Sequence, residues 1–320
     1  MRSVASYLVT GGAGFIGSHL AVALVGLGHH VRVLDSLATG KRRNLADARG
    51  VEFVEGDIAD VEACERAVRG MDYVLHQAAI PSVPRSVKDP VRSNRTNIDG
   101  SLNVLVAARD AGVKRLVYAG SSSVYGDTPT LPKREDMPPR PLSPYALQKL
   151  AAEQYCQLFT QLYEFPTVTI RYFNVFGPRQ DPGSPYSGVI SLFATALLAG
   201  RQPVIYGDGE QTRDFTYVSN VVEGVLRACD APTASGEVIN VASGVRTSLN
   251  QLLRVMNRAM GTDIAAIHEG ARSGDVRDSQ ADIAKAKALL GYTPTAGLEE
   301  GLAKTIAWYR SEHSRSSVRL

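Results

Sequence analysis

Cysteine is scarce in this chain, and its placement excludes more than its number does. Cys64, Cys156 and Cys229 stand far apart without Cys-x-x-Cys spacing, so neither a disulfide framework nor a zinc or other metal site is expected. A reducing cytoplasm is the plain setting. No apolar run approaches the roughly 20 residues of a membrane span. The apolar stretch after Arg2 is broken by the glycines at 11–17, so it does not read as a signal peptide. Charge of one sign is also lacking. The formal net charge of +3 comes from Lys and Arg scattered along 320 residues, without the basic face and interleaved aromatics that nucleic-acid binding needs. Internal repeats and low-complexity segments are absent. What is present, 44% hydrophobic and 21% charged, suffices for a substantial core in one large or two fused domains.

The stretch Thr10-Gly11-Gly12-Ala13-Gly14-Phe15-Ile16-Gly17 lies between an apolar run at 4–9 and an apolar, helix-periodic run at 16–27. Gly11, Gly14 and Gly17 suit a tight strand-to-helix turn, close backbone approach to a pyrophosphate, and close packing of helix on strand. N–H groups of the first helical turn have no partner within the helix and face an anion there. The spacing alone fits an ordinary glycine-rich loop equally well. Its context decides: Asp35 closes the next apolar run, where a carboxylate hydrogen-bonds the adenosine ribose hydroxyls and repels a 2′-phosphate. NAD is therefore expected rather than NADP.

Up to Tyr172, short β-branched runs alternate with helical patterns. This predicts an α/β fold: a Rossmann-like doubly wound parallel sheet over 1–175, with helices on both faces. Strands are predicted at 4–9, 30–34, 51–54, 73–76, 115–119 and 167–171. Asp57-Ile58 offers a carboxylate and a backbone N–H to an adenine edge, although a turn aspartate explains the same residue. Gln77-Ala78-Ala79 supplies small residues for a wall against a flat ligand, which packing alone would also favour. Past Tyr172 the character changes. Residues 177–188 are rich in proline and glycine and read as a long ordered loop. A smaller, mostly C-terminal α/β substrate domain is expected over 176–320, with segments around 215–245 returning to the first. Helices are predicted there at 192–198, 218–228, 249–260, 283–290 and 298–309, strands at 204–206 and 237–241, and a frayed polar tail at 311–320.

The chemistry concentrates in Ser121-Ser122-Ser123-Val124-Tyr125-Gly126 and in Tyr145-Ala146-Leu147-Gln148-Lys149. Ser143-Pro144 reads as N-cap and first helical position, so Tyr145 and Lys149, four apart, share one helix face. A fixed ammonium beside a phenol favours the phenolate. Tyrosine ionises near pH 10 in water, so reaching neutrality takes a depression of roughly 3 to 4 pH units at about 1.4 kcal/mol each, which the lysine together with an oxidised nicotinamide ring would supply. Ser121 would share a short hydrogen bond with a substrate hydroxyl whose proton leaves for Tyr145. In isolation an amphipathic pair and polar turn serines would explain these residues; beside the glycine turn and Asp35 the catalytic account is favoured.

Together, Gly11-x-x-Gly14-x-x-Gly17, Ser121 with Val124-Tyr125-Gly126, Tyr145-x-x-x-Lys149 and Arg171-Tyr172-Phe173-Asn174 resemble the extended short-chain dehydrogenase/reductase family over nearly the whole chain. Within it the sequence is similar to the NAD-dependent nucleotide-sugar 4-epimerases, the group acting on UDP-N-acetylhexosamines. The resemblance implies a tightly held NAD, proton removal from the sugar 4-hydroxyl by Tyr145, hydride exchange at C4, and return of hydride to the other face of a 4-keto sugar. It assigns Gly11, Gly14, Phe15, Ile16, Gly17, Asp35, Asp57, Ile58, Gln77, Ala78, Ala79, Asn97, Tyr145, Lys149 and Tyr172 to the dinucleotide. To the UDP-sugar it assigns Ser82, Ser122, Ser123, Asn174, Val189, Val204, Tyr206, Arg213, Arg272, Asp275 and Ser279. A homodimer through helices near 90–111 and 144–163 is also implied, although Leu147, Leu150, Ala151, Leu158 and Leu162 would equally serve a core.

Single positions separate sister activities. Dehydratases of this family carry Asp-Glu before Val-Tyr-Gly, and UDP-glucuronate decarboxylases a Glu; this chain has Ser122-Ser123, which lack the acid and base for elimination. Arg213 and Arg272 suit a diphosphate by bidentate bonding, with a surface ion pair to Asp214 or Asp275 as the competing account. Ser279 matches a position where relatives restricted to non-acetylated hexoses have tyrosine, so UDP-GlcNAc and UDP-GalNAc are the expected substrates. UDP-glucose/UDP-galactose or UDP-glucuronate epimerisation, and a non-catalytic dinucleotide sensor, are the alternatives.

Overall fold

Strand periodicity and helix periodicity organise the first half as the sequence predicts. The structure, a computed structural model, describes residues 4–181, 188–270 and 276–317, the last of these without side chains at 313 and 315–317. Seven parallel strands form the central sheet. In spatial order they are Val238–Val241, Thr167–Tyr172, Arg115–Ser121, Tyr73–His76, Ser6–Thr10, His30–Asp35 and Glu52–Glu55. Predicted strand limits differ from these by at most two residues at either end, the fraying expected of element ends.

Side chains along each strand alternate between two cores, as a period of two requires. Val9, Val33, Leu75 and Val117 face one side and pack with Leu20 and Leu24 of the Phe15–Gly26 helix and with Val221 and Val225 of the Val218–Asp230 helix. Leu8, Leu34, Val74 and Leu116 face the other, against Cys64, Leu105, Cys156 and Phe159 of the helices Val61–Val68, Ser101–Asp110 and Pro144–Tyr163. Truncating a fully buried residue such as Leu24 to alanine removes about 2–5 kcal/mol. A third core, around Phe193, Leu252, Met256, Leu302 and Ile306, belongs to the C-terminal half.

Strand order reverses at Ser6–Thr10, which pairs with the second strand on one side and the fourth on the other. Connections therefore leave in opposite directions there, opening a crevice beyond the carboxyl ends of these strands. One expectation fails. The polar tail is not frayed from residue 311: the last helix runs Leu298–Ser317, tied down by an ion pair between Glu312 and Arg43 at 3.2 Å. Of the expected loop at 177–188, residues 182–187 lie outside the described residues, as do Arg272 and Asp275.

Candidate active site

Beyond Thr10 the chain turns at Gly11 in left-handed backbone, φ +67°. A Cβ at Gly11 would stand 2.7 Å from the Ala78 backbone, and one at Gly17 would stand 2.3 Å from the Gly11 carbonyl oxygen. The turn is thus as tight as the spacing implies. Gly14, extended, begins the helix without a side-chain cap, leaving the first-turn N–H groups to whatever enters the crevice. Asp35 accepts from the backbone N–H groups of Ala13 at 2.9 Å and Leu37 at 2.8 Å. Burial pushes its carboxyl above the usual range, against those two bonds.

A cavity of about 980 Å³ follows the strand ends, lined by the glycine turn, Asp35, Asp57, Ile58, Gln77, Ala78, Ala79, Tyr145, Lys149 and Tyr172. Asp57 also closes a local turn, accepting from Ala59 N–H at 2.9 Å, so both accounts of it hold geometrically. Tyr172 donates to the Gln77 carbonyl oxygen at 2.9 Å, while the Gln77 side-chain N–H₂ is buried without a partner. An orphaned donor beside an uncapped helix start fits a dinucleotide, as does a crevice wall in which added Cβ atoms would collide.

Opposite the glycine turn, Ser143 caps the Pro144–Tyr163 helix through the Ala146 N–H at 3.1 Å, with Pro144 in the first turn. The Ser86 hydroxyl accepts from the Tyr145 N–H at 3.0 Å. Tyr145 is half-buried, and burial holds its phenol above the ordinary value, with the Ser121 hydroxyl contact pulling the other way. The depression expected from Lys149 together with an oxidised nicotinamide ring concerns the loaded site, and the protein alone shows the opposite direction. Lys149 donates to the Ala119 carbonyl at 2.9 Å, and its Nζ lies 6.0 Å from the Tyr145 ring centroid. Desolvation governs both groups and brings the Lys149 ammonium down to about 8. Ser121 shares a 2.8 Å hydrogen bond with the Ser123 hydroxyl, with Ser122 half-buried between them.

Comparison with known proteins converges on one answer. The profile of the NAD dependent epimerase/dehydratase family matches residues 7–242. A UDP-glucose 4-epimerase of Mycolicibacterium smegmatis is 41% identical over 310 residues, 95% of this chain and 98% of the relative. The UDP-N-acetylglucosamine 4-epimerase of Methanobrevibacter ruminantium M1, solved with UDP-N-acetylmuramic acid, superposes with TM-score 0.93 at 38% identity, covering 97% of this chain and 100% of that one. The UDP-glucose 4-epimerase of Thermus thermophilus, solved with NAD, gives 0.88 at 39% identity, covering 95% and 99%.

The chain belongs to the NAD dependent epimerase/dehydratase family.

In this family member the described residues expected on the sugar side lie outside the cavity lining. Segment 206–216 touches three of them, Tyr206, Asn174 and Ser279. Gln211 donates to the Tyr206 carbonyl at 2.6 Å, Ser279 N–H donates to the Thr212 carbonyl at 3.1 Å, and Thr216 N–H donates to the Asn174 carbonyl at 3.2 Å. Val204–Tyr206 pairs in parallel with Ile267–Glu269 and with no other strand among the described residues, and Gln211 occupies its Tyr206 carbonyl. Val189 starts the Val189–Leu198 helix after an extended Gly188. Arg213 donates to the Thr212 and Arg277 carbonyls, whereas Asp214 is fully buried on the backbone of Ser243, Gly244 and Ala281, so the suspected Arg213–Asp214 surface pair is not how Asp214 is used.

Asn97 and Ser82 also have structural partners. Asn97, 1% exposed, accepts from Ile80 N–H at 2.8 Å and donates to Gln148 at 2.9 Å, supporting the cavity wall at Ile80. Ser82 caps the Val83–Lys88 helix by accepting from Arg85 N–H at 3.2 Å, which leaves its hydroxyl proton to donate. Sequence reasoning missed Asn44 and Ser86. Asn44 donates to the Ala13 carbonyl at 2.8 Å and latches a loop onto the glycine turn. Neither residue carries a periodic or motif signal, because each acts through a distant backbone group.

Proposed function

We propose that this chain, an NAD-dependent UDP-sugar 4-epimerase, interconverts the acetamido sugars UDP-GlcNAc and UDP-GalNAc. What supports the sugar assignment is Ser279, a small residue at the position where, by the family resemblance, relatives restricted to non-acetylated hexoses have tyrosine. Its backbone is fixed on Thr212, so the room belongs to the side chain and not to a movable loop. NAD, when bound in the crevice, supplies reversible hydride acceptance at sugar C4.

The protein's part is proton handling and positioning. Tyr145 takes and returns the proton of the 4-hydroxyl, with Ser121 bridging phenol and sugar. Lys149, anchored on Ala119, supplies positive charge on the same helix face. The phenol rests above its ordinary value until positive charge enters the crevice, so proton removal waits on a loaded site. Ala78 and Ala79 form the flat wall, Arg213 meets the diphosphate, and Val204–Tyr206 presents backbone groups to uracil. Ser122 and Ser123 bind sugar hydroxyls and leave elimination without a carboxylic acid.

The active unit is a homodimer in a reducing cytoplasm. Leu147, Leu158 and Leu162 are exposed along one helix, near exposed Val87 and Val91, and the three cysteines are buried without forming a disulfide among the described residues. Among the described residues no helix is long and apolar enough to cross a membrane. NMR product analysis with a panel of UDP-sugars tests the assignment. Conversion of UDP-GlcNAc with kcat/KM about tenfold or more above that for UDP-glucose is expected; a strong preference for UDP-glucose overturns it.

A further inference from the structure

Residues 277–282, the strip that carries Ser279, are held by groups the reaction does not use. Lys133 lies alongside in parallel register with Ala281: its N–H donates to the Gln280 carbonyl at 2.7 Å, and its carbonyl accepts from Asp282 N–H at 2.9 Å. From beneath, Asp214, fully buried, accepts from Ala281 N–H at 3.1 Å while also gripping Ser243 and Gly244. Asn240, also fully buried, donates to the Lys133 carbonyl at 3.0 Å and the Asp282 carbonyl at 3.3 Å, and accepts from the Tyr125 hydroxyl at 2.7 Å. On the outer edge Thr212 receives Ser279 N–H and donates to Asp278 at 2.5 Å. Tyr125 adjoins the Ser121–Ser123 turn, so one buried hydrogen-bond chain joins the serine turn, the last sheet strand and the strip.

We propose that Asn240 and Asp214, supported by Thr212, are positioning residues that set the width of the sugar pocket by fixing the strip on which Ser279 sits. The proposal rests on the assignment of Ser279 to the sugar. A pocket discriminates by an acetamido group only if its wall stays put, and a wall hung on two buried polar side chains moves when either is lost. Substrate affinity and sugar discrimination then depend on residues that touch neither sugar nor dinucleotide.

The test uses NAD-loaded enzyme carrying Asn240→Ala, Thr212→Val, Ser279→Tyr or the Asn240→Ala/Ser279→Tyr pair, with bound NAD and melting temperature recorded for each. Expected is an increase of about tenfold in KM for the UDP-sugar with kcat within about threefold and NAD retained, which marks lost ground-state positioning. The UDP-GlcNAc to UDP-glucose ratio falls in Asn240→Ala, and the two changes in the pair are non-additive. Unchanged KM and ratio in folded Asn240→Ala overturns the proposal, as does loss of NAD together with kcat. Should Asn240→Ala fail to fold, Thr212→Val at the strip's half-buried edge decides by the same KM criterion. If Ser279→Tyr alone leaves the ratio unchanged, the acetamido assignment fails, while the KM effect on whichever UDP-sugar turns over still decides the clamp.

Discussion

Around the glycine turn the walls are main chain: Gly11 against the Ala78 backbone, Gly17 against the Gly11 carbonyl, Ala13 tied to Asp35 and Asn44. Around Ser279 the strip is also main chain, but Asp214 and Asn240 hold it by side chains, and Thr212 by its carbonyl with its hydroxyl on the Asp278 carboxylate. The first region is shaped chiefly by missing side chains at Gly11 and Gly17, with Asp35 and Asn44 holding only Ala13, whereas the second is held by several buried polar ones. A dinucleotide common to many reactions is met by a rigid backbone mould; a sugar that differs between relatives is met by a surface whose position single residues adjust.

The largest expected effect tests whether chemistry belongs to the first region alone. Tyr145→Phe should lower kcat by about 10²–10⁴-fold while NAD, read by absorbance of the purified protein, stays bound, because the phenol oxygen holds no wall. Full turnover in this variant would remove the proton-transfer role.

Next comes the mould itself. Gly17→Ala places a methyl group 2.3 Å from a carbonyl oxygen that has little freedom to yield. It should cost about 1–3 kcal/mol of stability and most of the bound dinucleotide, measured by thermal melting and NAD content. A single extra methyl at Ser279, as threonine, should leave NAD content unchanged, since that strip does not line the crevice.

This difference also governs what the sequence disclosed. Gly11, Gly14 and Gly17, the Ser143-Pro144 helix start and the strand runs are local signals, since turn geometry, capping and alternation are fixed by neighbours along the chain. The strip was invisible because its partners are remote: Asn240 reaches Lys133 across 107 residues, and Tyr125 reaches Asn240 across 115. Asn97 bonds Ile80 and Gln148, partners 17 and 51 residues away that the sequence does not disclose. For Tyr145, burial, which no motif records, raises the phenol in the protein alone, and the depression expected from Lys149 together with an oxidised nicotinamide belongs to the loaded site.

Each region contains one buried lysine, and the pair sharpens the contrast. Lys133 donates to both the carbonyl and hydroxyl of Thr128, whereas Lys149 donates to Ala119. With its folded value near 8 against about 10.4 in the unfolded chain, Lys149 charged and buried destabilises the fold below pH 8. Between pH 8 and 10 the unfolded chain binds more protons, so wild-type stability rises with pH through that window. Lys149→Met should thus raise the unliganded protein's stability at pH 7 by about 1–3 kcal/mol while abolishing most activity, with the gain shrinking toward pH 10. Lys133→Met should destabilise instead, having lost two bonds that shape the strip's flank. Melting curves from pH 6 to about pH 10 check both.

The smallest effect concerns what joins the two halves at the crevice mouth. Lys41–Asp181, Arg43–Glu312 and Arg179–Asp47 pair at 2.9, 3.2 and 2.7 Å, and on distance alone they resemble a clasp over the dinucleotide. Exposure argues otherwise: each pair has one member between 42% and 74% exposed, where water screens the attraction and holding long side chains costs entropy. Each should contribute about 0–1 kcal/mol, so Lys41→Met should change NAD retention less than Asn44→Ala, whose side chain is half-buried on the Ala13 carbonyl. Dialysis of the loaded enzyme at low and high salt measures this. Rapid, salt-dependent loss of NAD from Lys41→Met would show that charge, not backbone shape, closes the crevice, and the contrast between the two regions would have to be redrawn.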